Sequence, residues 1–200
     1  MSEHYFSKNP QSKSEPKTWN YTLRGREYSF ISDVGVFSKN EVDFGTRLVI
    51  EHFKVPSIVG DILDLGCGYG PIGIALASEN QDRKIMMVDV NERALELARE
   101  NAKKNNVKNI DVIQSDGLSQ LDHSSFAAVV TNPPIRAGKK VVHRMFEESK
   151  QALLSHGELW VVIQKKQGAP SAKEKLESLF GYVEVVSRSK GYFILKATKS

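Results

Sequence analysis

The period of apolar and polar positions changes several times along the chain, and each change marks an element. Residues 1–17 are polar and interrupted by Pro10 and Pro16, so a loosely ordered segment is expected there. Between Trp19 and Phe30 the apolar positions alternate (Tyr21, Leu23, then Tyr28, Phe30) around Arg24-Gly25-Arg26, which predicts a small hairpin. Gly35 to Asn40 reads as a loop. From Asp43 to Phe53 the apolar residues Phe44, Leu48, Val49 and Phe53 recur at helical spacing, with Asp43 as N-cap or first-turn acid.

From Asp61 onward short apolar runs alternate with helical stretches. Strands are predicted at 61–65, 84–89, 110–114, 126–131, 158–163, 182–187 and 192–197, and helices at 72–78, 91–105, 139–154 and 171–180. This alternation implies an α/β fold: a doubly wound, Rossmann-like sheet, mainly parallel, with helices on both faces. The last two strands are separated only by Arg188 to Gly191, which permits a hairpin but no parallel crossover, so the last strand must run antiparallel. The organisation expected is an N-terminal extension carrying the hairpin, 1–40, and one larger domain, 41–200.

Composition removes several classes. A lone cysteine in 200 residues cannot close an internal disulfide, which points to a reducing interior. No apolar run approaches the roughly 20 residues needed to cross a bilayer. Met1-Ser2-Glu3-His4-Tyr5 lacks the basic-then-apolar order of a signal peptide, so a cytoplasmic location is expected, with no membrane partner. The five histidines are scattered without metal-ligand spacing, and no metal site is expected. The formal net charge of +4 is unevenly spread. Residues 61–131 carry 7 Lys+Arg against 11 Asp+Glu, whereas 132–200 carry 13 against 6. An acidic middle and a basic end suggest two ligands of opposite charge.

In a doubly wound sheet, ligands sit beyond the carboxyl ends of the strands. The first strand of this pattern runs into Asp64-Leu65-Gly66-Cys67-Gly68-Tyr69-Gly70-Pro71-Ile72-Gly73. Gly68, Gly70 and Gly73 match the G-x-G-x-x-G fingerprint, a weak signal alone. Asp64 would repel a pyrophosphate there and attract an ammonium, which argues against a nicotinamide cofactor. The second strand ends at Asp89, suited to accept both hydroxyl hydrogens of a ribose; Asn91 is the better N-cap for the helix that follows. The third ends in Ser115-Asp116-Gly117, where Asp116 could meet an adenine amino group, although the tripeptide is equally an ordinary turn. The fourth ends in Asn132-Pro133-Pro134-Ile135. Pro133 holds Asn132 extended, and neither proline offers an N–H, so the Asn132 side-chain oxygen and the Pro133 carbonyl form a stiff pair of acceptors for an –NH2 group.

These residues in this order resemble the motifs of class I S-adenosylmethionine-dependent methyltransferases, over about residues 58–197. His4-Tyr5-Phe6-Ser7, Gly35-Val36-Phe37-Ser38 and Asn132-Pro133-Pro134-Ile135-Arg136-Ala137-Gly138-Lys139 further resemble the ribosomal RNA guanine-N(2) methyltransferase group, in a short form without a duplicated N-terminal domain. The resemblance implies S-adenosylmethionine as cofactor. Asp64 and the Gly66–Gly70 turn, with Cys67 and Gly68, would hold its methionine part, Asp89 and Val90 its ribose, Asp116 and Gly117 its adenine, and Phe37 would close the pocket. Asn132, Pro133 and Pro134 would receive the target amine, with Asn132 also among the residues that meet the cofactor. Where the adenine-N(6) pattern has a stacking aromatic, this chain has Ile135, which disfavours adenine. Ribosomal RNA, or a small-subunit ribosomal particle, is the expected partner. Arg136, Lys139, Lys140 and Arg144 after the fourth strand, and Lys165 and Lys166 after the fifth, lie on the rim where its phosphates would pass. A nicotinamide oxidoreductase leaves the Asn-Pro-Pro turn without a purpose. An adenine-N(6) enzyme acting on RNA or DNA, and a non-catalytic RNA-binding or assembly module, each account for part of the pattern.

Overall fold

The structure, a computed structural model, describes residues 14–34, 36, 41–119, 121 and 126–200. The chain opens with β1 (Lys17–Leu23) and β2 (Arg26–Ser32), paired antiparallel through the two-residue turn Arg24-Gly25, both at positive φ. A tight turn of that hand matches the twist of the strands it joins. Then follow α1 (Phe44–His52), β3 (Asp61–Leu65), α2 (Pro71–Glu79), β4 (Ile85–Asp89), α3 (Glu92–Lys104), β5 (Ile110–Gln114) and β6 (Phe126–Thr131). The chain closes with α4 (Lys139–Ala152), β7 (Leu153–Gln164), α5 (Ala169–Phe180), β8 (Val183–Ser189) and β9 (Tyr192–Thr198).

The seven strands β3–β9 form one sheet in the order β5-β4-β3-β6-β7-β9-β8. All neighbours are parallel except β9, which is antiparallel to both β7 and β8. The last strand therefore runs antiparallel as expected, but it inserts between β7 and β8 and leaves β8 at the edge. Period-two alternation sorts the side chains onto two cores. Ile62, Val130, Trp160 and Ile194 pack with α1, α2, α3 and the hairpin; Leu63, Val129, Val161 and Leu195 pack with α4 and α5. Chain direction across the sheet reverses between β3 and β6, and the crevice beyond their carboxyl ends is the topological switch point.

Three boundaries differ from expectation for identifiable reasons. The expected helix 139–154 stops at Ala152, and Leu153, though apolar and in helical register, turns extended to pair with Phe126. A kink at His156 (φ 64), whose N–H donates to the Lys199 carbonyl at 2.7 Å, then carries the chain into the main run of β7. Helix α5 starts at Ala169, ahead of the expected Ser171, because Pro170 sits in its first turn, where a missing N–H costs nothing.

The hairpin is bound by side chains that act as a third strand. Ser29 N–H donates to Asn105 Oδ1 at 3.0 Å and Asn105 Nδ2 donates to the Ser29 carbonyl at 2.8 Å. One turn earlier, Ile31 N–H donates to Asn101 Oδ1 at 2.7 Å, while Asn101 Nδ2 donates to both the Ile31 carbonyl and the Tyr69 carbonyl at 2.9 Å. The i,i+4 spacing puts both amides on one face of α3. Trp19 packs here against Phe30 and Tyr69, as hairpin core. Asn101 is fully buried, so Asn101→Ala strands three backbone groups and is expected to cost about 3 kcal/mol in urea unfolding.

Candidate active site

The turn after β3 depends on glycines at positive φ: Gly66 (77°), Gly68 (56°) and Gly70 (98°). Gly66 and Cys67 both donate their N–H to the Val88 carbonyl at 2.9 Å, which clamps the turn onto β4. Gly70 caps α2 with Pro71 behind it. Asp89, at the end of β4, accepts from Gly68 N–H at 2.8 Å on one carboxylate oxygen and from Asn91 N–H at 2.9 Å on the other. Asn91 caps α3 with its own side chain, as expected. Burial pushes the Asp89 carboxyl above its ordinary range, with its backbone partners opposing the shift.

Asp64 occupies a different place from its neighbours in the motif. The β3 pleat turns it toward α2, where it is fully buried and accepts Gly73 N–H at 2.8 Å on Oδ2. Its Oδ1 has no hydrogen-bond partner among the described residues. Desolvation, with the Asp89 charge adding to it, raises the Asp64 carboxyl to about 7. Asp64 thus lies behind the glycine turn and not on the cavity wall. The Cys67 thiol is likewise pushed up by burial and by Asp64 and Asp89, so it is no thiolate nucleophile.

Asn132 follows β6 directly. Thr131 Oγ1 donates to the Leu65 carbonyl at 2.8 Å and ties β6 to β3 at the switch point. Asn132 Nδ2 donates to Thr46 Oγ1 at 3.0 Å and lies 3.4 Å from both oxygens of Asp43. Those contacts consume the amide's donor side and leave Oδ1 without a donor among the described residues. Asp43 also caps α1, accepting from Gly45 N–H at 3.0 Å and Thr46 N–H at 3.2 Å. One carboxylate therefore fixes both the start of α1 and the orientation of Asn132. Sequence reading identified Asp43 as a cap but missed its reach to Asn132, and it missed Thr46 altogether. No local signal marks either, because the pairing spans more than 80 residues.

The turn after β5 is closed by α4. Arg144 donates to Asp116 Oδ1 and pairs with Glu148 at 3.7 Å, while Glu148 Oε2 accepts Leu118 N–H at 3.0 Å. A Cβ on Gly117 would fall 2.1 Å from Glu148 Oε2, so the Glu148 carboxylate would have to shift, and the positive φ of 60° favours glycine there in any case.

These strand ends enclose a cavity of about 350 Å3. Its wall includes Gly66, Cys67 and Gly68; Asp89 and Val90; Asp116 and Gly117; and Asn132, Pro133 and Pro134, together with Asp43 and Thr46. Apolar side chains such as Leu65, Val88 and Met145 fill the spaces between them. Gly70, like Asp64, acts from behind the wall. Arg144, expected to face RNA, reaches the wall and turns to Asp116. Arg136, Lys139 and Lys140 are exposed beside the Asn-Pro-Pro turn, and Lys165 and Lys166 are exposed on a short 3-10 turn after β7. Phe37, and the segments His4–Ser7 and 35–38 apart from Val36, lie outside the described residues.

The methyltransferase small domain family matches residues 27–196. The chain belongs to that family. S-adenosylmethionine is accordingly the cofactor of this methyltransferase, and the cavity fits it: carboxylates stand at the ends of two adjacent strands, a side-chain-free glycine turn lies beside them, and apolar walls join the two. The methyltransferase is 59% identical over the whole of both chains to the uncharacterized protein YbxB of Bacillus subtilis. It is 34% identical over 191 residues to ribosomal RNA large subunit methyltransferase G of Photobacterium profundum, covering 92% of this chain and 50% of that one. Among solved structures, the T. thermophilus 16S rRNA N2 guanine methyltransferase RsmC, in complex with AdoMet and guanosine, superposes with a TM-score of 0.83 at 24% identity. That match covers 96% of this chain and 52% of RsmC. The methyltransferase thus spans about half the length of the named ribosomal RNA relatives it matches. Among the described residues no helix is long and apolar enough to cross a membrane, and no cluster of three or more His, Cys, Asp or Glu could hold a metal ion.

Proposed function

We propose that this methyltransferase transfers a methyl group from S-adenosylmethionine to the exocyclic N(2) amine of a guanine in small-subunit ribosomal RNA. The observation that carries the reading is the Asn132 amide, whose donor side is taken up by Thr46 and Asp43 so that its oxygen is left without a donor among the described residues, on the cavity wall that Pro133 also lines. Two convergent acceptors match the two hydrogens of an aromatic amine. S-adenosylmethionine supplies an electrophilic methyl on a sulfonium.

The rest of the chemistry falls to the chain. Asp89 would accept from the ribose hydroxyls, Asp116 and Gly117 would border the adenine, and Gly66, Cys67 and Gly68 would admit the methionine part close to the backbone. The guanine amine is a poor nucleophile because its lone pair is delocalised into the ring. Hydrogen bonds to Asn132 and Pro133 hold both N–H bonds and leave the nitrogen's remaining lobe aimed across the cavity, so positioning is the main contribution. The amine proton becomes acidic once the methyl has moved, and no general base is assigned.

The base must stand outside a helix to reach this crevice. Exposed Arg136, Lys139 and Lys140, flanking the Asn-Pro-Pro turn, would carry the phosphates of the strand that presents it. Reversing Lys139 and Lys140 to Glu is expected to weaken RNA binding by roughly 10-fold or more and flatten its salt dependence while cofactor affinity stays unchanged; filter binding across a salt series measures it.

Mass analysis of ribosomal nucleosides from a deletion strain and its parent, with the two subunit RNAs handled separately, tests the whole reading. Loss of N(2)-methylguanosine from the small-subunit RNA is expected. Loss of N(6)-methyladenosine would overturn the choice of base. A loss confined to large-subunit RNA, toward which the name of the Photobacterium relative points, would overturn the choice of subunit.

A further inference from the structure

The residue after Asp43 begins a second feature, just outside the cavity. Phe44, half-buried in the first turn of α1, packs against Tyr192 of β9 with ring centroids 5.4 Å apart. Two cations approach the same Phe44 ring: the Arg47 guanidinium at 5.1 Å and the Lys190 ammonium at 5.0 Å. Arg47 is held by donating to Tyr21 Oη of the hairpin at 2.9 Å. Lys190, by contrast, is exposed at the tip of the β8–β9 turn. Gly45 lets the Tyr192 ring come against α1, since a Cβ there would lie 3.0 Å from Tyr192 Cε1. The same Cβ would lie 3.2 Å from Asp43 Oδ1, so the Tyr192 ring and the Asp43 carboxylate border one position of α1. Lys165 N–H donates to the Gly191 carbonyl at 2.7 Å, so the basic pair Lys165 and Lys166 adjoins the same turn.

We propose that the Phe44–Tyr192 ledge, with Arg47 and Lys190, is a second nucleobase site that stacks the base neighbouring the target in single-stranded RNA. The proposal rests on the RNA reading above and extends it to a flanking nucleotide. Aromatic rings set among cations along a strand path are the ingredients of base-tolerant single-strand binding, the ring taking a base face and the cations the phosphates. Lys190 covers Phe44 in the free protein, and its flexible stem can yield that face to a base while the ammonium keeps a phosphate. Arg47, tied to the hairpin, supplies a fixed charge. The ledge adjoins Asp43, and Asp43 contacts Asn132, so a strand delivering one base to Asn132 runs on toward Phe44.

The test uses the full chain and guanine-centred single-stranded RNA hexamers carrying 2-aminopurine on one side of the guanine or the other. Stacking on Phe44 is expected to quench the fluorophore in one of the two positions only. Phe44→Leu keeps the apolar volume, removes the ring face, and is expected to abolish that quenching and weaken hexamer affinity about tenfold. Lys190→Gly suits a residue already at φ 46° and is expected to reduce the salt slope of binding by about one. Both variants should transfer methyl to free guanosine as the parent does, because a nucleoside has no neighbour to stack. Quenching that survives Phe44→Leu, or unchanged hexamer affinity and salt slope in Lys190→Gly, overturns the ledge. Failure of the parent to methylate guanosine in any of these substrates counts against the activity instead. Should Phe44→Leu not fold, Lys190→Gly and the positional quenching of the parent decide the matter.

Discussion

Asn132→Ala is expected to lower single-turnover methylation about 100-fold or more while leaving S-adenosylmethionine affinity within about twofold. The substitution removes one of the two acceptors proposed for the amine and leaves Asp89 and Asp116, the carboxylates proposed to hold the cofactor, in place. A companion variant isolates positioning. Asp43→Asn retains a good helix cap for α1 but removes the carboxylate that faces the Asn132 donor, so the amide loses part of its orientation. Its expected signature is a turnover loss of about tenfold with an unchanged melting temperature. An Asn132→Ala enzyme with near-parental turnover would remove Asn132 from the chemistry, whatever its cofactor affinity.

The second large effect concerns pH and the buried Asp64. Its carboxyl titrates at about 7 in the folded chain against an ordinary 3.8, so between those values only the unfolded chain releases the proton. Asp64 therefore favours folding fully below pH 3.8, and this contribution is lost as pH rises through about 7, a total of about 4 kcal/mol. Asp64→Asn has no such titration. Denaturant unfolding at about pH 5 and about pH 8 should show the wild type losing about 3 kcal/mol more than the variant. Parallel pH dependences in the two proteins would show that Asp64 ionises freely despite its burial. The same burial gives the cofactor a lever: a cation arriving in the cavity favours the ionised carboxylate behind the turn. Cofactor affinity should therefore strengthen with pH over this window in the parent and stay flat in Asp64→Asn.

The parts of this site visible in the sequence were those written in local pattern. Strand ends are marked by the glycine turn, by Asp89, by Ser115-Asp116-Gly117 and by Asn132-Pro133-Pro134, and each reads from a few consecutive residues. The doubly wound sheet and its antiparallel strand likewise follow from period and connection length. What escaped depended on distance. The insertion of β9 between β7 and β8 is set by pairings such as Trp160 with Lys196, which no window of sequence contains. The Arg144–Asp116 clasp joins residues 28 apart, so Arg144 reads as one more surface cation until α4 is laid over the β5 turn. The place of Asp64 depends on the pleat, which alternates Leu63 and Leu65 toward α4 and sends Asp64 toward α2, behind the glycine turn.

The Asn101 amide touches the hairpin at Ile31 and the glycine turn at Tyr69 with one and the same nitrogen. Any ligand that quiets the turn must also quiet a strand on the far side of α3. The Ile31 amide, bonded to that side chain, becomes a built-in reporter: its hydrogen–deuterium exchange should slow on cofactor loading although it touches no ligand. The hairpin is thereby a gauge of occupancy as well as a covering for the core.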